Sequence, residues 1–214
     1  DSNGGIRPGE ERFLPGLFYR PPQPPYQTGA RSVRIDAMRI HEALIATGGG
    51  VRATWAEVDL SRLANNLDAI RKRVAPARVM LVVKANAYGH GLAEVSRALA
   101  GKADCVGVAV LEEGILLREL GVTAPILVLG GIWGDQIRSY LEHDLTLTAS
   151  SVERLEQIDA VARRLGVRAK VHLKIDTGME RIGVHYYSAH ALQEAAVRCS
   201  HVEVEGIYSH FANA

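Results

Sequence analysis

From Thr54 onward the chain alternates short apolar runs with longer amphipathic ones, and this alternation constrains the fold more than any other feature. "VMLVVKA", "CVGVAV", "PILVLGG", "LTLTAS", "KVHLKID" and "VEVEGIYSHF" are short and mostly β-favouring, and they read as strands. Helical patterns stand between them: Leu92 to Ala100, "LEEGILLREL" up to Gly121, "DQIRSYLEH", "VERLEQIDAVARRLG", and Ser188 to Cys199. Ser150 or Ser151 is placed to cap the fourth of these, and Gly166 to stop it. Apolar strands that each lead into a helix are the signature of parallel βαβ units. Upstream, "TWAEVDL" alternates as a strand. Ser61 then caps "RLANNLDAIRKRVA", with Leu63, Leu67, Ile70 and Val74 on one helical face.

Two architectures offer parallel units: an open doubly wound sheet and a closed (β/α)8 barrel. No G-x-G-x-x-G follows the first strand, which weakens the dinucleotide-binding form of the open sheet. A repeat of roughly 20–30 residues per unit suits a TIM-type barrel. Residues 54–214 are therefore expected to form an incomplete α/β barrel, truncated after about six strands. Most of the prolines fall within residues 1–32, in stretches such as "PGLFYRPPQPPYQTGARS". Residues 1–37 are expected to be a disordered, Pro-rich extension, and residues 38–53 a leader with a short helix. The first methionine is Met38, and the natural start is expected there. The other end, "YSHFANA", follows a strand-like run with no turn or cap and reads as cut.

The charge balance narrows the function classes. Net charge is +1 and the signs are interleaved, so no basic stripe points to nucleic acid. No apolar run approaches the ~20 residues of a membrane span, and no secretory leader pattern is present. Cys105 and Cys199 each sit in or beside an apolar element and read as buried free thiols of a reducing, cytoplasmic setting. The eight histidines show no zinc spacing, so no metal is expected.

In a barrel of this kind, functional groups gather at the C-terminal strand ends. Lys84 ends the first barrel strand and is followed by "ANAYGHG", where Gly89 and Gly91 allow close backbone approach to a ligand. A lysine after so apolar a run is expected to be buried. Burial raises the neutral fraction of an amine, as covalent capture of a carbonyl requires. In "KVHLKIDTGMERIG", His172, Lys174 and Asp176 share one strand face and Arg181 lies in the following loop. Lys174 with Asp176 also reads as a plain ion pair, and Arg181 with Glu180 as a loop salt bridge. His90 and His210 also read as structural histidines. Asp104, Glu112 and Glu113 read as solvated charges at helix ends.

"VVKANAYGHG" resembles the cofactor-attachment signature of bacterial alanine racemases, enzymes that use pyridoxal 5'-phosphate. "TWAEVDLSRLANNL", "PILVLGG", "LKIDTGMERIG" and "GIYSHFANA" extend the likeness over nearly all of residues 54–214. The resemblance implies a homodimeric isomerase that interconverts L- and D-alanine for peptidoglycan, with a barrel followed by a β-rich domain. It implies that Lys84 holds the cofactor covalently and serves as one of two acid/base groups, with Tyr88 on the phosphate. It likewise implies Leu129 along the cofactor pocket, His210 against the ring, and Arg181 near the substrate carboxylate. Lys174 matches a lysine that the family can carry as a carbamate. Much of the family's machinery, including the second base and the β domain, lies past Ala214, so the chain as given is expected to be inactive, with an open barrel.

One departure stands out: Glu180 occupies a position where the family usually has glycine, and it is expected either to compete for Arg181 or to face solvent. Two other readings stay open, a decarboxylase of basic amino acids with the same fold and a non-catalytic pyridoxal-phosphate carrier. A serine or broad-specificity racemase is a further variant.

Overall fold

A computed structural model describes residues 32–36 and 55–213. Strand β1 (Ser32–Asp36) pairs antiparallel with β2 (Trp55–Asp59), with Ser32 opposite Asp59 and Asp36 opposite Trp55. β1 lies inside the stretch that the sequence reading assigns to the Pro-rich extension. The remainder of residues 1–37, and all of 38–53, lie outside the described residues.

Helix α1 (Leu60–Val74) follows directly. Its cap is Asp59 rather than Ser61: the Asp59 carboxylate accepts from the amides of Ser61 at 2.9 Å and Arg62 at 3.0 Å. A carboxylate complements the helix N-terminus better than a hydroxyl, and Arg71, Lys72 and Arg73 complement the other end. Of the apolar stripe, Leu67 is buried, whereas Ile70 and Val74 remain exposed.

The βα units then run in the expected order. They are β3 (Met80–Val82), α2 (Leu92–Leu99), β4 (Cys105–Val108), α3 (Leu111–Glu119), β5 (Ile126–Val128) and α4 (Ile137–Glu142). They continue with β6 (Leu147–Ala149), α5 (Val152–Leu165), β7 (Ala169–Asp176), β8 (Val184–His185), α6 (Ala189–Arg198) and β9 (Val202–Tyr208). Parallel pairing links β3 to β4, β4 to β5, β6 to β7 and β7 to β9, and a parallel bridge from Leu127 to Thr146 joins the two halves. The six expected strands thus form one arc. β3 and β9 stand at its two ends and are not paired with each other. The two-residue β8, which pairs with the end of β7, has no counterpart in the sequence reading.

Because all six strands run the same way, their C-terminal ends share one rim. Val106, Ile126, Val128, Leu147, Val171 and Leu155 are among the side chains that seal the sheet against the helices. Each fully buried side chain of this size contributes about 1.5–3 kcal/mol. Ser151 caps α5 through its hydroxyl, which accepts from the Arg154 amide, and Gly166 ends it in the left-handed region at φ 68°. Cys105 is half-buried and Cys199 buried, and both are free thiols that burial pushes up from their ordinary pKa. No described helix is long and apolar enough to cross a membrane.

Opposite the rim, Arg118 of α3 ties the loops together. Its guanidinium donates to the carbonyl oxygens of Val122 (2.6 Å), Ala124 (2.8 Å), His143 (3.1 Å) and Asp144 (2.8 Å). These carbonyls belong to the connections before β5 and before β6, so one side chain fixes two turns of the arc.

Candidate active site at the strand ends

Lys84 follows β3 directly, and the backbone turns at once. Ala85, Asn86 and Ala87 have φ of 52°, 55° and 52° and ψ of 53°, 45° and 47°; Tyr88 has φ of 53°. Segment 85–88 is therefore a turn of left-handed helix built from non-glycine residues. Such a conformation costs roughly 1–2 kcal/mol per residue for L-amino acids. It persists because its polar groups are bonded from several directions. The Gly89 amide donates to the Ala85 and Asn86 carbonyls, and the Gly91 amide donates to Asn86. The Asn86 side-chain oxygen accepts from the Leu92 amide at 2.8 Å, and His90 Nδ1 lies 2.9 Å from the Ala87 carbonyl oxygen. His90 is thus a structural histidine here. The Glu113 carboxylate accepts from the Ala85 amide at 2.7 Å and from the Ala109 amide at 2.8 Å. Glu113 is consequently not a solvated helix-end charge.

Lys84 is only partly buried, less than its apolar lead-in suggests. Tyr88 is 59% exposed and carries its hydroxyl one turn beyond the lysine. Leu129 stands at the end of β5 and His210 just past β9, exposed. Among the described residues, the side chains of Lys84, Tyr88, Arg181 and His210 make no hydrogen bond or ion pair with one another.

The β7 end is organised differently. Lys174 and Asp176 are both 4% exposed. The Asp176 carboxylate does not bond Lys174. It accepts instead from the amides of Gly178 (2.8 Å), Glu180 (3.1 Å) and Arg181 (3.1 Å), which folds the loop that carries Arg181. These backbone bonds hold its pKa down, to about 2 from an ordinary 3.8. A depressed carboxylate contributes stability above its unfolded pKa and loses it as pH falls through the folded one. Amide protection at Gly178, Glu180 and Arg181 is therefore expected to be full near pH 5 and to fall between pH ~4 and ~2. Hydrogen exchange across that range checks this, and Asp176→Asn should show weak protection throughout.

Lys174 has one close neighbour of a different kind: its Nζ lies 4.5 Å from the centre of the Tyr208 ring. Tyr208 in turn shares a 2.8 Å hydrogen bond with the Thr148 hydroxyl and donates a longer one, 3.4 Å, to the Leu129 carbonyl oxygen. Its ring also meets His172 edge-on. Burial pushes the Lys174 amine down in pKa; Asp176 raises it and Arg181 lowers it further. The loop packs down onto this lysine through Gly183. A Cβ there would come within 2.9 Å of the Lys174 carbonyl oxygen and of its Cγ, and φ is 120°, so only glycine fits.

Glu180 sits in the left-handed region at φ 55°. It does not compete for Arg181: its carboxylate faces His185 Nδ1 at 3.7 Å, and the His185 ring stacks on Tyr187 at 5.1 Å. A pair this exposed contributes little, whereas glycine would relieve the backbone. Glu180→Gly is expected to raise unfolding free energy by about 0.5–1 kcal/mol in urea titrations.

The site therefore offers a partly exposed amine, a phenol one turn away, an apolar residue and an imidazole along one rim. An arginine loop stands beside a buried lysine. This donor set fits pyridoxal phosphate, with an amine for its aldehyde and uncommitted polar groups around it. The sequence reading singled out Lys84, Tyr88, Leu129, Lys174, Arg181 and His210, and each lies in the C-terminal part of a strand or in the segment that follows one. It missed Glu113 and Tyr208. Neither was legible: a register shift in β9 turns Tyr208 to the Lys174 face, away from the face of Val202 and Val204, and Glu113 acts on a pair of backbone amides.

Residues 58–214 match the family described as alanine racemase, N-terminal domain. An alanine racemase of Methanococcus maripaludis is 45% identical over 163 residues, which cover 75% of this chain and 44% of that protein. The solved structure of alanine racemase from Clostridium difficile 630 superposes with a TM-score of 0.68 at 36% identity, covering 72% of this chain and 41% of its own. Histidine racemase from Leuconostoc mesenteroides superposes with a TM-score of 0.67 at 31% identity, covering 72% and 42%. The chain thus spans less than half the length of the relatives it matches. With the match running from the last residues of β2 to Ala214, the chain belongs to the family of alanine racemase N-terminal domains.

Proposed function

We propose that this chain is the cofactor-binding barrel portion of a pyridoxal-phosphate-dependent racemase that interconverts L- and D-alanine, acting in the cytoplasm as a homodimer. The eight-stranded barrel and the β-rich domain of the family belong to the same proposal. The observation that carries it is Lys84, held at a strand end by a left-handed turn and reaching a rim shared with Arg181 and His210. Alanine as substrate is supported by the named relatives. The histidine racemase shows that the same architecture serves another amino acid.

Pyridoxal phosphate, when bound, supplies a conjugated ring that delocalises the electron pair left at an amino acid's α-carbon. This chain's residues would supply part of the remaining machinery. Lys84 would hold the cofactor through its aldehyde and would move the α-proton from one face. The Tyr88 hydroxyl would hold the phosphate, and His210 and Leu129 would line the ring. The Arg181 fork holds the substrate carboxylate.

Lys174 has the features of a carbamate-forming lysine. Its amine is buried and lowered in pKa, so a neutral fraction can add to carbon dioxide, releasing a proton and leaving an anion beside the Arg181 loop. Mass spectrometry of the intact protein with and without bicarbonate reads this modification directly. The function is tested by extending the chain to the length of its relatives and following interconversion of the two alanine enantiomers on addition of pyridoxal phosphate. Exchange abolished by omitting the cofactor supports the proposal. A cofactor-loaded protein that racemises histidine or a basic amino acid but not alanine contradicts it.

A further inference from the structure

We infer that Glu113 is a positioning residue for Lys84, bridging the turn that carries the lysine to the end of the neighbouring strand. The inference rests on the reading of Lys84 as the cofactor lysine and extends it to a residue on a different element.

The pairing of β3 with β4 is regular up to Val83, whose amide donates to the Gly107 carbonyl oxygen at 2.9 Å. One residue beyond Lys84 the pattern changes. The Ala85 amide and the Ala109 amide both need an acceptor, and two N–H groups cannot bond each other. The Glu113 carboxylate lies between them, one oxygen 2.7 Å from the Ala85 nitrogen and the other 2.8 Å from the Ala109 nitrogen. An ionised carboxylate is the side chain that only accepts and has two oxygens for the purpose. Both bonds are charge-assisted and short.

The backbone is therefore tied to the second strand on each side of Lys84: before it by a ladder bond, after it through Glu113. The plane of the peptide joining Lys84 to Ala85 is set by this second tie. That plane fixes the direction in which the lysine side chain leaves the sheet. Simple capping of α3 would account for the Ala109 arm, four residues from Glu113, but not for the Ala85 arm, which spans 28 residues. Glu112, its neighbour, makes neither bond.

Glutamine at this position keeps one acceptor but turns an NH2 donor toward the other amide, so Glu113→Gln should release one arm and Glu113→Ala both. Two readouts on the 214-residue chain test this. The first needs no cofactor: amide hydrogen exchange at Ala85 and Ala109. Exchange about tenfold faster is expected at both amides in Glu113→Ala and at one in Glu113→Gln, with α5 protection unchanged. The second is trapping of pyridoxal phosphate by cyanoborohydride, read by peptide mapping as labelling of Lys84 relative to the surface lysine Lys72. The ratio is expected to fall about tenfold in Glu113→Ala and less in Glu113→Gln. The inference is overturned if the amides keep their protection, if protection falls equally throughout the chain, or if the amides loosen while the labelling ratio stays within twofold. Failure of the unaltered chain to label Lys84 is a separate outcome, and overturns the cofactor-lysine reading on which the inference rests.

Discussion

Lys84→Ala is expected to remove covalent cofactor capture and, in the chain extended to the length of its relatives, to lower alanine exchange by at least about 10³-fold. On the proposed reading two functions are lost together, the nucleophile that anchors the cofactor and one of the two groups that handle the α-proton. Lys84→Arg is the informative companion. It keeps the positive charge but cannot supply a neutral amine, so it should fail as the alanine variant does. The fold should survive both changes. Lys84 makes no hydrogen bond or ion pair among the described residues, and the left-handed turn is held by Glu113, Asn86 and backbone bonds instead. Circular dichroism and unfolding midpoints close to those of the unaltered chain, with capture lost, are the expected combination. Activity retained within tenfold in the Lys84→Ala variant would refute the assignment.

The second large effect is on stability. Arg118→Ala is expected to lower unfolding free energy by about 3 kcal/mol or more. Four carbonyl oxygens lose a charge-assisted donor at once, and two connections of the arc lose their tie. Burial lowers the Arg118 pKa and Asp144 opposes that shift, yet the group remains cationic at any pH of interest. Arg118→Lys should recover only part of the loss, because an ammonium offers three donors from one point and cannot span both loops. Urea unfolding of the three chains measures this. A loss below 1 kcal/mol for the alanine variant would mean that water replaces the guanidinium at these carbonyls.

These two residues mark what the sequence reveals and what it hides. The βα order was legible because each strand is an apolar run bounded by turn residues, and the six expected parallel strands are present. Lys84 was legible because a polar group directly after an apolar run is unusual, and Arg181 because its loop resembles a family motif. Arg118 and Glu113 were not, since each acts on backbone groups, and any residue at those positions in the chain supplies the same amide or carbonyl. Asp59 took the cap expected of Ser61 by lying two residues earlier, directly before the helix, with a stronger acceptor. The left-handed turn was hidden because Ala85, Ala87 and Tyr88 carry no preference for it; only Asn86 and Gly89 hint at it. Glu180 is the converse case: an unusual residue in the sequence, explained in the structure by a left-handed φ and a histidine partner.

The measurement closest to the central claim is borohydride reduction of the chain after incubation with pyridoxal phosphate, followed by peptide mapping. The account predicts a single dominant pyridoxyl adduct on Lys84, absent when Lys84 is replaced by alanine. A folded chain whose label is spread over surface lysines, with Lys84 unmodified, would contradict it.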